Sequence, residues 1–509
     1  MSILRYTASA DNTITNAFNY TLTTRGTGSN MGYADSLEVF SIYGETTSSL
    51  GKSQQLSRIA IEFPVSSISA DRTAGTIPAS GSVSFYLRMY NAEHPFTLPQ
   101  DFTLVVAPIS QSWVEGSGLD MDEYTDKGVS NWISASEGVA WSTVGGDYLS
   151  QDNYNVTFPE GYEDLELDIS EVVENWIKGL SGGEYNNYGF GIRLTSSQEA
   201  YFSSSTGQNT GSIIHNTNGS TDTYYTKKFF ARSTQFFFNR PTIEARWDSR
   251  VQDDRENFYF SSSRAPAEFN LNSLYFYNYV RGGLRNLPPV GTGDLSVSFY
   301  SSSFGAPTGS AISLSAGGST VSAGDTNATA SYVSPGLYSC EVALTAASTA
   351  LQEIHDVWHS GGVEFFTGSF YPELMPTYDS APTFNRITSC KNLKNKYSVQ
   401  DTARFRFFVR DRNWSPTIYT VATANNPTDI IESASFSIER VTDRYTAISY
   451  GTGSDLSTYL SYDKEGNYFD LDMSLLEADY MYEIKLSFYN DSIGAWQEQP
   501  QTFKFRVEE

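Results

Sequence analysis

Cysteine is almost missing from these 509 residues: only Cys340 and Cys390 occur, so no disulfide framework holds the fold, and both read as ordinary thiols. Histidine is nearly as scarce, with His94, His215, His355 and His359 making up the four. None sits in a His-Glu-x-x-His arrangement or beside a Gly-x-Ser-x-Gly nucleophile motif, which removes the commonest signatures of hydrolases. His355 and His359 have the four-residue spacing of zinc ligands on a helix, and Ala346 to Trp358 reads as a possible helical turn. Gly361-Gly362 follows at once and no third ligand is evident, so loop or surface histidines are the better reading, and neither metal nor other cofactor is expected. Positive charge is short too. Against 58 Asp and Glu stand 33 Lys and Arg, and a net charge of −25 repels phosphate backbones and anionic lipid. Nucleic acid and membrane are therefore not expected partners. No apolar run reaches the roughly 18 residues of a membrane span, and Met1-Ser-Ile-Leu-Arg-Tyr-Thr7 lacks the charged and apolar regions of a signal peptide. Synthesis in a host cytoplasm without standard secretion is the expectation.

Long helix-favouring runs of Ala, Leu, Glu and Lys are also lacking. What fills the chain instead is 34 Tyr, 32 Phe, 39 Gly and abundant Ser and Thr, with only 18% charged residues. That composition suits short, half-buried strands, and the length suits about three domains. Leu56-Ser-Arg-Ile-Ala-Ile-Glu-Phe63, Gly81-Ser-Val-Ser-Phe-Tyr-Leu-Arg-Met-Tyr90 and Phe102-Thr-Leu-Val-Val-Ala-Pro108 are strand-like segments bounded by turn residues, at the spacing of a sandwich. Thr24-Arg-Gly-Thr-Gly-Ser-Asn-Met-Gly32 is glycine-rich but lacks the Gly-Lys-Ser/Thr ending of a phosphate loop.

One stretch changes period. In Leu165-Glu-Leu-Asp-Ile-Ser-Glu-Val-Val-Glu-Asn-Trp-Ile-Lys-Gly179, Ile169, Val172, Val173, Trp176, Ile177 and Leu180 recur at helical spacing. Asp168 and Glu171 suit a capping box, Leu167 a staple onto Val172, and Gly179 a stop. A helix this short is marginal alone, so its apolar stripe is expected to lie on strands, as a lid over one end of a β-sandwich.

From Tyr6 to Trp247 the order of signatures resembles the DNRLRE domain, a β-sandwich related to carbohydrate-binding modules. The signatures are Asn30-Met-Gly-Tyr-Ala-Asp-Ser-Leu-Glu-Val39, the Arg58-Ile-Ala-Ile-Glu-Phe63 strand, Gln111-Ser-Trp-Val-Glu-Gly116, Gly145-Gly-Asp147, the helix around Trp176, Gly189-Phe-Gly-Ile-Arg-Leu194 and Arg240-Pro-Thr-Ile-Glu244. The opening, with Asp11-Asn-Thr-Ile-Thr-Asn16 and Leu37-Glu-Val-Phe-Ser-Ile-Tyr-Gly44, is similar to structural proteins of marine contractile-tailed phages, including those of cyanobacteria. That resemblance implies a virion component whose partners are other virion proteins and further copies of itself in a symmetric assembly.

Asp248-Ser-Arg-Val-Gln-Asp-Asp-Arg-Glu-Asn257 is dense in charge and reads as a linker or surface turn. Two further β-units follow, each of immunoglobulin-like size. The expected architecture is all-β: an N-terminal sandwich with one short helix over residues 1–250, then immunoglobulin-like sandwiches over 265–375 and 380–509. Asp120-Met-Asp-Glu-Tyr-Thr-Asp126 crowds carboxylates as a calcium loop does, yet lacks the EF-hand glycine and glutamate, so a solvated acidic loop is the better reading. Trp132 and Trp141 are the candidate sugar-stacking residues of the first domain, with loop pinning as the plainer role. Two functions emerge: a non-enzymatic virion appendage or decoration on tail, neck or capsid, and, as the alternative, a module recognising a host surface glycan.

Overall fold

In the computed structural model, residues 3–19, 25–45, 52–95, 99–120, 129–151, 153–180, 186–202, 216–221, 224–303, 305–315, 323–345, 353–374, 386–418, 428–451, 453–490 and 494–509 are described. Strands dominate them, and the chain divides into two compact units, 2–248 with 455–457, and 249–454 with 458–509.

The first unit is a sandwich. Its strands are β1 (Ile3–Thr7), β2 (Ala10–Thr15), β3 (Ser36–Glu45), β4 (Lys52–Glu62), β5 (Val83–Met89), β6 (Phe102–Pro108), the short β7 (Ser134–Ser136) and β8 (Val139–Ala140), β9 (Tyr154–Phe158), β10 (Leu165–Asp168), β11 (Phe190–Leu194), β12 (Tyr224–Phe230) and β13 (Thr242–Trp247). One sheet runs β1-β13-β5-β10; the other runs β12-β3-β4-β11-β6-β9, with β2 also on β4. Alternate residues such as Phe85 and Leu87 of β5 and Ile59 and Ile61 of β4 point inward and are fully buried in one core. On the outer face of the smaller sheet, Glu244 is buried among Arg5 (2.7 Å), Arg246 (2.7 Å) and Arg88 (3.3 Å). Although burial opposes its charge, those three guanidiniums hold its carboxyl far below the ordinary range.

The expected helix, α2, spans Ser170–Gly179 and packs on that core, with Trp176 only 3% exposed. Its start differs from the capping-box reading. Ile169, itself fully buried, is the N-cap, and the Asp168 carboxylate instead accepts from the Ser170 amide (2.9 Å) and hydroxyl (2.6 Å). Leu180 lies outside the stripe, exposed beyond the last turn. A second helix, α1 (Val65–Ala74), was not expected, because only Val65 and Ile68 of its ten residues are buried and no stripe betrays it. It is held to α2 by a two-pronged bond from Arg72 to Glu174 (2.8 and 2.6 Å) and to β1 by the Tyr6 hydroxyl on Asp71 (2.8 Å).

In the second unit, six strands follow one another in hydrogen-bonded order: Asn272–Tyr277, Leu337–Val342, Asn327–Ser334, Leu295–Ser303, Ile354–Ser360 and Val363–Phe370. They enclose Phe276, Val297, Phe299, Tyr338 and Trp358. Further along, a sheet containing Thr402–Asp411 and Gly466–Asp472 faces one containing Ala434–Arg440, Met481–Asn490 and Phe503–Glu508. Between them Phe436 and Phe469 stack with centroids 3.7 Å apart, and Phe405 packs on Phe505. The fold is thus all-β, with sandwich modules throughout. The charged stretch 248–257 is not a free linker. Tyr462 donates its amide to Val251 (3.0 Å) and its hydroxyl to Asp254 (2.8 Å), and its carbonyl accepts from Asp253 (3.2 Å), so this segment is strapped onto strand Ser461–Asp463. Asp253 and Arg255 are paired with each other and Asp254 is bonded to Tyr462 and Ser273, while Asp248 and Glu256 stay exposed, a division that composition alone does not reveal.

Candidate functional site

In the strand Asn272–Tyr277 the apolar residues Leu274 and Phe276 face the core, so the period of two puts Tyr275 and Tyr277 on the opposite face. Tyr279 extends that row onto a tight hairpin, Tyr279–Val280 paired with Gly283–Leu284, whose two central residues, Arg281 and Gly282, both have positive φ (52° and 81°). Successive ring centroids in this row are 6.4 Å apart, and the last two rings are inclined by only 12°.

The tyrosines line a cleft of about 610 Å³ within the second unit, together with Asp253, Arg255, Phe366, Arg404, Arg406 and the turn Asp463-Lys464-Glu465. Its charged walls are built from fixed pairs. Arg404 grips Asp470 with two bonds (2.7 and 2.9 Å) and Arg406 grips Asp463 with two more (2.5 and 2.8 Å). Both guanidiniums lie over the Tyr468 ring, at 4.3 and 4.9 Å from its centroid. Arg255 reaches Asp253 (2.6 Å), the Tyr275 carbonyl (2.6 Å) and the fully buried Asp356 (2.5 Å), which also accepts from the Trp358 indole (2.7 Å). Gly368 is required here, since a Cβ would come within 2.6 Å of Asp356 Oδ1.

Burial pushes the Asp253 carboxyl up to about 6 even though Arg255 pulls the other way. It pushes the Tyr275 phenol up to about 12 as well. The Arg404 guanidinium is held above its usual range, chiefly by its bond to Asp470.

The sequence-expected residues lie elsewhere. Trp132 (0% exposed) and Trp141 (5%) are buried in the long connection that covers the outer face of the first unit's larger sheet. Trp132 packs with Ile14, Leu56 and Ala200 beneath the Arg58 guanidinium, and Trp141 donates from its indole nitrogen to the Asn131 carbonyl (2.8 Å). Neither offers a ring face to a sugar, so loop pinning is their role in this conformation. His355 and His359 do not share a helix: they sit on strand Ile354–Ser360, where four residues span roughly 13 Å, too far for one ion. His355 Nδ1 lies 3.2 Å from the Gly368 carbonyl and His359 Nε2 lies 2.8 Å from the Ser298 hydroxyl. Residues 121–128, most of the acidic loop weighed for calcium, lie outside the described residues, as does His215. Cys340 and Cys390 are free thiols.

The cleft escaped sequence reasoning, although a signal existed: Tyr at alternating positions 275, 277 and 279 puts aromatic rings where a half-buried strand ordinarily carries Ser, Thr or charge.

No family model matches this sequence, and no curated protein does. Among solved structures, the chain is similar to the N-terminal Ig1-2 module of Drosophila receptor protein tyrosine phosphatase DLAR, at 11% identity and a TM-score of 0.14, over 47% of this chain and 91% of that one. Two others are dimeric latent PorU from Porphyromonas gingivalis (10% identity, TM-score 0.17, 93% of this chain, 34% of that one) and Salmonella alpha-2-macroglobulin reacted with methylamine (8%, 0.14, 92% and 26%). The chain thus spans about a third and a quarter of the latter two. At such scores these likenesses carry no argument about fold or role.

Proposed function

We propose that this chain is a non-enzymatic structural protein of a phage virion, an appendage or decoration carried on the tail, neck or capsid. Its opening resembles virion proteins of marine contractile-tailed phages, and its build suits the part. The observation that carries the reading is the way the first unit closes on itself: β1 pairs antiparallel with β13 in unbroken register, Ile3 with Arg246 through Thr7 with Thr242. A sandwich tied at both ends is a self-contained brick that can be repeated or docked without rearrangement. Its partners in this reading are other virion proteins and further copies of the chain, arranged by the symmetry of the platform they occupy.

Support also comes from the cleft, where Asp463 and Asp253 are committed to guanidinium partners. Recognition of a host polysaccharide through Trp132 and Trp141 loses support, because both indoles are buried. Mass spectrometry of purified particles is the test. The protein is expected at a stoichiometric multiple of the platform's symmetry, and its absence from intact particles would end the proposal. Depolymerisation of a polysaccharide by the purified chain would replace it with an enzymatic one.

A further inference from the structure

We infer that the tyrosine-lined cleft of the second unit binds a short neutral oligosaccharide. Its volume of about 610 Å³ lies within the roughly 300–1,000 Å³ typical of small-ligand sites. Its walls combine the two things that sugar rings require. Tyr279, 56% exposed and backed by Tyr277, supplies a flat apolar face for the C–H side of a pyranose, and Phe366, 36% exposed with its other face on Phe276, supplies a second. Arg404, fixed by its two bonds to Asp470 behind it, and the Arg406–Asp463 pair supply donors and an acceptor already held in plane, matched to adjacent hydroxyl groups, with no ordering left to do on binding.

Charge selects the neutral ligand. Arg255, Arg404, Arg406 and Lys464 line the cleft, but so do Asp253, Asp463 and Glu465, and Asp356 and Asp470 bind Arg255 and Arg404 from behind. Carboxylates are at least as many as cations, so no net positive field remains to draw a sulfated or uronic acid chain. The site is separate from the buried tryptophans of the first unit, and the inference does not depend on the virion assignment.

The test is an array of neutral, carboxylated and sulfated glycans probed with the purified full chain, followed by titration of any neutral hit at low and high salt. A neutral glycan is expected to bind with little salt dependence, and Tyr279→Ala to weaken it at least about tenfold at an unchanged melting temperature, since that ring is mostly exposed. Arg404→Lys, which keeps the charge and loses the planar fork, is expected to weaken it as well. Silence of every neutral glycan overturns the inference. Binding confined to acidic glycans and abolished by salt overturns it too, as does neutral binding that both variants leave intact. Because the array uses isolated protein and the virion test uses particles, either proposal can fail alone.

Discussion

Trp176 of α2 meets Phe190 of β11 with ring centroids 4.8 Å apart and planes inclined by 55°. The helix leaves the smaller sheet directly after β10 and lays its largest side chain on a strand of the larger one, so this contact ties the two layers across the end of the sandwich. Trp176→Ala should cost roughly 3–5 kcal/mol, the range for large buried aromatics. Denaturant unfolding monitored on the first unit checks this; a loss below about 1 kcal/mol would mean the helix is not a structural lid.

Protonation of Asp254 should stabilise the second unit. Burial raises its carboxyl to about 7 in spite of bonds from the Ser273 amide and the Tyr462 hydroxyl. An acid whose folded pKa is raised lets the folded state hold a proton that the unfolded chain has released, so stability rises as pH falls from about 8 towards 5. Asp253, raised to about 6, and Asp11 of the first unit, raised to about 7, act in the same direction. Below about 4 the sign reverses for Glu244, whose depressed carboxyl contributes stability only while ionised. Asp254→Asn should stabilise at pH 8 by on the order of 1–2 kcal/mol and flatten the slope, with its amide donating to Tyr462 while its oxygen accepts from Ser273. Melting curves from pH 4 to 8 give the comparison, about one pH step at a time.

Gly368→Ala should destabilise the second unit by roughly 1–3 kcal/mol, as overpacking does. The new methyl would stand 2.6 Å from Asp356 Oδ1 and 3.0 Å from the Phe366 ring. Asp356 cannot yield without breaking its bonds to Arg255 and Trp358. Thermal unfolding reads the cost, and a neutral result would show that strand Val363–Phe370 shifts freely.

Arg281→Asn should stabilise. Arg281 holds φ at 52° in the hairpin that presents Tyr279, a conformation that costs an ordinary side chain roughly 1 kcal/mol and that asparagine tolerates. A gain of about 0.5–1 kcal/mol is expected in denaturant titration, and a loss would mean that the arginine side chain holds the turn through contacts of its own.

Residue types revealed the class of fold more readily than the site. Abundant Tyr and Phe in short alternating runs announced strands, and the spacing of Val172, Val173 and Trp176 announced α2, because burial of one face is written into periodicity. The cap was misplaced by one residue, since Asp168 satisfies the same amide chemistry from one position further out. α1 left no trace because a helix needing only Val65 and Ile68 for its contact has no stripe to show. Arg404 and Arg406 alternate with Phe405 and Phe407 in sequence, but nothing there points to Asp470 or Asp463, since each partner is 66 or 57 residues away and pairing is a spatial fact. The same blindness made Asp253 and Arg255 read as part of a linker or surface turn.

The register of Ile3 against Arg246 has a consequence for the ancestry of such chains. When the first and last strands of a module are neighbours, the polypeptide arrives and departs at one spot on its surface. A gene segment encoding it can then be spliced into an existing loop without forcing that loop open, and can be lost again with equally little damage to the host fold.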